Sequence, residues 1–284
     1  MKQSAFFSKF AMFILIALVG SLFAAGRTSA AEDAKKTVRI GGTGVALATI
    51  RLLGDSFQKK HPGIAVKVFP SLGSQGGLEA AEHGDIDIAV ASKKLSAKQK
   101  AGLAVSEYGR TPLVFVTRET NPVSRITLRQ VIDIYAGRTM RWPDGTPVRL
   151  VIRPAGESSN HLLGEISGEM KKAVEDSAAR PGLSMAVTDQ DNADLLEKLP
   201  GSFGVAPLCQ ILSENRRLKV LALQKPGGGE IAPAGGSYPY YYDLFIATGP
   251  RSSPSSALFV RFVFSKEGQR ILANTGHIPA VGRR

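Results

Sequence analysis

The chain has 284 residues, 43% of them apolar and 21% charged, with a formal net charge of +12 and a single cysteine, Cys209. That length and apolar share allow one large domain or two smaller ones, each with a full core. One cysteine excludes an intrachain disulfide. Aromatics at 7%, not interleaved with the scattered basic residues, argue against a nucleic-acid-binding surface.

In chain order, Lys2 and Lys9 precede an apolar run, Phe10 to Ala25, which small residues follow up to Ala30-Ala31. A basic start, an apolar middle and a small-residue end describe a cleavable secretory signal over 1–31. The run is short beside the about 20 residues a membrane-spanning helix needs, so an uncleaved anchor is the lesser reading. No cysteine stands there to carry a lipid. The secreted chain keeps a net charge of about +9, because Lys2, Lys9 and Arg27 leave with the signal. Lys93-Lys94 with Lys98 and Lys100 is the nearest thing to a basic patch, and it suits small anions as well as any surface.

Thr37 to Ile40 reads as a strand ending in Gly41-Gly42-Thr43-Gly44. Leu47, Ile50, Leu53 and Phe57, three and four apart, predict a helix that His61-Pro62-Gly63 stops. Ile64 to Phe69 is a second strand, followed by Ser71-Leu72-Gly73-Ser74-Gln75-Gly76-Gly77 and a helix running to His83. Ile86 to Val90 and Pro112 to Val116 are further strands, and Thr127 caps a helix through Tyr135. Val148 to Ile152 is a strand ending at Arg153, and one helix is expected over 160–176 and another from Asn192 to Leu199. Strands follow at 203–205 and 218–223, then a Gly/Pro-rich loop over 225–237, a strand from Tyr242 to Thr248, and one terminal helix over 257–275. The alternation predicts an α/β fold with a parallel sheet. Exposed connections near Arg110-Thr111 and Ser237-Tyr238 predict two crossings between two lobes.

Three strand-to-helix junctions share small or hydroxyl residues: Gly41 to Gly44, Gly73 to Gly77, and Arg153 to Asn160. The first turn of a helix leaves N–H groups unpaired, and these with the helix dipole attract an anion. In parallel α/β sheets such junctions lie at the carboxyl ends of the strands, where ligands bind. Arg153 adds a fork of donors suited to an oxyanion. The bland reading of each junction is a helix cap. No dinucleotide fingerprint, nucleophile elbow or phosphate loop occurs. His61, His83, His161 and His277 lack metal-ligand spacing, Asp85 and Asp87 read as strand-entry acids, Trp142 as a packed turn residue, and Tyr238 to Tyr242 as packing at a lobe crossing.

These motifs, taken in order, resemble the periplasmic substrate-binding proteins of phosphate ABC transporters, a branch of the type II periplasmic binding fold. The marks are Gly73-Ser74-Gln75-Gly76-Gly77, Asp85 to Ser92, Asp133 to Gly137 with Trp142, Arg153 to Ser159, Gly201 to Val205, Tyr238-Pro239-Tyr240 and Ser265 to Gln269. The resemblance spans about residues 37 to 281. It implies two α/β lobes joined by a two-stranded hinge, residues 37–110 plus 239–284 forming one and 111–238 the other, with the ligand in the cleft between. It implies a soluble periplasmic monomer that binds inorganic phosphate or a similar oxyanion, passes it to an inner-membrane ABC permease, and needs neither cofactor nor catalysis. The ligand residues carried over are Thr43, Gly44, Val45, Ser74, Ser92, Arg153, Ser158 and Ser159.

Two departures bear on the ligand. The family's phosphate binders place an Asp where this chain has Ser92, and Glu157 replaces the Ser of their Ser-Gly-Thr turn. A carboxylate repels a fully ionised oxyanion and accepts a hydrogen bond from a protonated one, so Glu157 joins the expected site. Sulfate, molybdate or an organic anion stays open as ligand, as does a ligand-free sensor or interaction protein. A secreted phosphate-ester hydrolase is disfavoured, because neither a metal constellation nor an activated nucleophile is present.

Overall fold

A computed structural model describes residues 36–233 and 238–280. The expected signal, residues 1–31, and Ser237 at one expected crossing lie outside the described residues. Among the described residues, no helix is long and apolar enough to cross a membrane.

The chain opens with β1 (Thr37–Gly42), α1 (Gly44–Lys60), β2 (Ala65–Val68), α2 (Gly73–His83) and β3 (Ile88–Ala91), the expected β-α-β-α-β run. It continues through the one-turn α3 (Ala97–Lys100) into β4 (Ala104–Arg118), β5 (Arg125–Thr127) and α4 (Leu128–Tyr135). Then come β6 (Arg149–Ile152), α5 (Ser158–Gly164), α6 (Gly168–Ala178), β7 (Ser184–Met185), α7 (Asp189–Lys198) and β8 (Ser202–Pro207). The remainder is α8 (Leu208–Ser213), β9 (Leu218–Val220), β10 (Ala222–Gln224), β11 (Glu230–Ile231), β12 (Tyr241–Thr248), α9 (Pro254–Val263), α10 (Lys266–Asn274) and β13 (Ile278–Pro279).

The main sheet runs β2-β1-β3-β12-β4-β8-β6-β7. β1 pairs in parallel with β2 and β3, and β6 in parallel with β7 and β8. The 15-residue β4 joins the two sets of strands. Its first part pairs antiparallel with β12, from Ala104 opposite Thr248 to Pro112 opposite Tyr241. Its second part pairs with β8 and β9, Leu113 opposite Pro207 and Arg118 opposite Leu218. The parallel strands of both sets therefore send their carboxyl ends into helices α1, α2 and α5, which is the placement that builds a ligand cleft.

Several expectations need correction. The connection at Arg110-Thr111 is not an exposed loop. It is the middle of β4, where Thr111 is fully buried. Its hydroxyl donates to the Gly276 carbonyl at 3.0 Å and accepts the Cys209 N–H at 3.0 Å, so the buried Thr111 side chain is fully paired where the strand passes between sets of strands. The single helix expected over 160–176 is two, because Ser167 accepts the Met170 N–H and starts α6 anew. The terminal helix breaks in the same way at Ser265, whose hydroxyl accepts the Gly268 N–H. The strand expected over 218–223 is two, β9 and β10, with Leu221 between them. The junction at 73–77 is itself the first turns of α2.

Gly73 and Gly77 explain that stretch locally. Gly73 has φ +68°, a conformation that side chains resist. A Cβ at Gly77 would stand 2.5 Å from the Gly42 Cα, so α2 lies directly on the end of β1 only because Gly77 has no side chain. The main apolar core runs through both sets of strands, from Ile40, Leu47 and Phe57 to Leu150, Phe203 and Cys209. Asp87 and Trp142 serve the fold, as their sequence context suggests. Asp87 is buried against Arg39 at 3.1 Å, and the Trp142 indole N–H donates to the Gly201 carbonyl at 3.0 Å.

Candidate functional site

Four chain turns converge between α1, α2, β3 and α5. Thr43 precedes α1 with extended backbone and makes no side-chain cap of its own helix, which leaves its hydroxyl for other work. That hydroxyl lies 3.0 Å from the Ser92 hydroxyl at the end of β3. Ser74, in the first turn of α2, accepts the Ser92 N–H at 3.1 Å. From the other set of strands, the Ser158 hydroxyl at the start of α5 comes within 2.9 Å of the Ser92 hydroxyl. Ser92 is 2% exposed, and with Ser74 at 3.5 Å its hydroxyl has three hydroxyl neighbours, which fills its capacity of one donor and two acceptors.

Arg153 ends β6 with its side chain 4% exposed. One guanidinium nitrogen donates to the Ala186 carbonyl at 2.8 Å. The other donates to Glu157 at 2.9 Å and to Asp189 at 3.4 Å. Glu157 thus faces Arg153 rather than capping α5. Asp189, the first residue of α7, lies against the first turn of α1, where a Cβ on Gly44 would stand 2.6 Å from its Oδ2 and the Val45 N–H favours its charged form. Burial pushes its carboxyl up to about 6. Arg153 and the Val45 N–H pull against that shift, while Glu157 and Glu214 add to it. Gln190 donates to the Gly44 carbonyl at 3.2 Å, so the start of α7 closes onto the start of α1.

A cavity of 350 Å³ lies here, walled by Thr43, Ser74, Arg153, Glu157, Ser158 and Asp189, with Lys93 on its border. The structure therefore brings five of the nine expected residues, Thr43, Ser74, Arg153, Glu157 and Ser158, to one cavity. Ser92 sits behind it, tied to Thr43, Ser74 and Ser158. Gly44 and Val45 meet Asp189 directly. Ser159 is buried at 6% exposure with an unpartnered hydroxyl and does not line the cavity. Asp189 is the residue that sequence reasoning missed. Its signal was Thr188-Asp189-Gln190-Asp191, a helix start in which Thr188 and Asp191 form a capping box. Among the described residues, no group of three or more His, Cys, Asp or Glu is placed to hold a metal ion.

The arrangement offers hydroxyls, helix N-termini and one guanidinium on a common cavity, with two carboxylates on the same guanidinium. Such a site suits a small oxyanion, and a protonated one better than a fully ionised one.

The same architecture recurs in known structures. A protein from Clostridium perfringens described as a phosphate ABC transporter substrate-binding protein, with bound phosphate, superposes with a TM-score of 0.72 at 22% identity, covering 86% of this chain and 99% of that one. An ABC-type phosphate transport receptor from Vibrio cholerae gives 0.56 at 17% identity over 85% and 99% of the two chains. The substrate-binding domain of a molybdenum ABC transporter from Clostridium difficile gives 0.54 at 13% identity over 86% and 99%. No curated protein matches the chain. The family model for the PBP superfamily domain matches residues 27–267, and with the sheet order and the cleft at the strand ends it establishes that the chain belongs to the PBP superfamily.

Proposed function

We propose that the chain is the substrate-binding protein of an ABC transporter, capturing inorganic phosphate or a closely related oxyanion and presenting it to a membrane permease. The observation that carries this reading is the convergence of Thr43, Ser74, Ser158 and Arg153 on one cavity. The Clostridium perfringens protein, which holds phosphate, supports it through its shared fold. The chain binds and does not catalyse. Its place is the periplasm, reached through the signal over 1–31, and it acts as a monomer. Residues 37–110 with 239–284 form one lobe and 111–238 the other, hinged where β4 and the chain entering β12 cross side by side. Ligand contacts from both lobes favour the closed arrangement.

The test is titration calorimetry of phosphate-stripped protein with phosphate, from pH about 5 to about 9, with sulfate as competitor. Micromolar binding unaffected by sulfate is the expected result. No heat at millimolar phosphate overturns the phosphate reading.

A further inference from the structure

The donors expected to hold a ligand are already held by a carboxylate of the protein. The Asp189 carboxylate lies against the head of α1, beside Gly44 and the Val45 N–H that favours its charge, and 3.4 Å from the Arg153 guanidinium nitrogen. The approach is close enough to dictate sequence. A Cβ at Gly44 would lie 2.6 Å from the Asp189 Oδ2 and 2.8 Å from the Gln190 Oε1, so a side chain there would push the carboxylate away from α1. Asp189 thus sits where an oxyanion would, between a helix N-terminus and an arginine, the two elements that attract one. Ser92 stands opposite, without the carboxylate that would mark a ligand proton acceptor on β3.

We propose that Asp189 is an intramolecular anion that competes with the ligand: its carboxylate occupies the head of α1 beside the Arg153 guanidinium until an incoming oxyanion displaces it. The inference rests on the anion-binding reading of this cleft. The titratable groups facing Asp189 are Arg153 from β6, Glu157 ahead of α5, Glu214 at the end of α8, Lys93 across the cavity, and the Cys209 thiol and Tyr242 hydroxyl, both kept neutral because burial pushes them up. Arg216 is engaged by Glu214 at 2.7 Å and does not neutralise Asp189. Two carboxylates therefore crowd Asp189 against one guanidinium, which keeps its hold on the site weak enough to yield. Neutralising Asp189 by protonation or by substitution removes both the competitor and the repulsion a ligand meets. It follows that ligand affinity rises as the pH falls through the titration of Asp189.

The experiment titrates phosphate, sulfate and molybdate separately into the full secreted chain, as wild type, Asp189→Asn and Asp189→Ala. Measurements are made at pH about 7.5 and about 5, with sulfate serving as an anion whose own charge is constant over that range. The expected result is about tenfold or tighter binding of at least one anion by both variants at pH about 7.5. The gap to wild type should close to about threefold or less at pH about 5. Tighter sulfate or molybdate binding without phosphate binding supports the competitor and overturns phosphate as ligand. Phosphate bound equally or more weakly by the variants keeps the transport reading and overturns the competitor, because Asp189 then serves the ligand rather than opposing it. If none of the three proteins binds any of the anions, both readings fall. Asp189→Asn preserves side-chain shape, so a folding defect confined to Asp189→Ala leaves the Asn variant to decide.

Discussion

The hydroxyls of Ser92 and Ser158 lie 2.9 Å apart although 66 residues separate them, and they join the end of β3 to the start of α5 across the cleft. Each comes from a different set of strands, so this contact joins the two walls of the site. Ser92→Ala removes a hydroxyl that three neighbours share and leaves the buried Thr43 hydroxyl short of a partner. We expect a loss of about 1–3 kcal/mol, read as a lower midpoint in urea unfolding. An unchanged midpoint would show that water replaces the lost contact.

Much of this was legible in the sequence, for a physical reason. α1 declares itself through Leu47, Ile50, Leu53 and Phe57 because its inner face is fully buried, and the parallel strands declare themselves as short apolar runs. The first part of β4 was not legible. Ala104 to Glu107 is mostly exposed and reads as polar, and its pairing with β12 comes from residues more than 130 positions away. The site was legible where local chemistry makes it, at the helix starts and at Arg153. Asp189 was not, because its position on Val45 depends on how α7 meets α1, and a helix-starting Asp looks the same whether it faces solvent or a cleft.

Stability should depend on pH through two buried groups with opposite signs. Asp189 is pushed up to about 6 by burial, so the folded state keeps a proton that the unfolded chain releases near pH 4. This makes stability fall as pH rises from about 4 to about 6, by up to about 3 kcal/mol. His277 is pushed down to about 4 by burial, so the unfolded chain takes up a proton that the folded state refuses. This makes stability rise with pH from about 4 to about 6.5, by a similar amount. The two slopes nearly cancel in the wild type. Asp189→Asn should therefore expose a rise, and His277→Gln a fall, in urea midpoints measured across pH about 4 to about 7. Parallel profiles for all three proteins would refute both assignments.

The seat of α2 on β1 makes a sharper packing prediction. Gly77 faces Gly42 with no room for a methyl group, and the atoms it would meet, in Gly41 and Gly42, are backbone, which cannot turn aside. Gly77→Ala should raise helix propensity slightly yet destabilise by about 1–3 kcal/mol through overpacking. Because the clash lies beside the start of α2, Ser74 shifts with it, and phosphate affinity should weaken as well. Gly63→Ala, at a position with open space around it, is the control expected to leave affinity unchanged.

Arg153 carries the most demanding prediction, because its loss changes charge, hydrogen bonding and pairing together. Its guanidinium is nearly fully buried and holds Glu157, Asp189 and the Ala186 carbonyl. Arg153→Ala leaves two carboxylates facing each other across an unpaired carbonyl, at a cost of about 3–5 kcal/mol. The same change turns the cavity wall negative, so phosphate affinity should fall at least about tenfold, one lost charge-assisted contact being enough for that. Arg153→Lys separates the two effects. It keeps the charge and loses the fork, so it should recover part of the stability while staying weak for a tetrahedral oxyanion. Calorimetry with phosphate beside urea unfolding reads both quantities on the same proteins. Affinity unchanged in a folded Arg153→Ala protein would place the ligand away from this cavity.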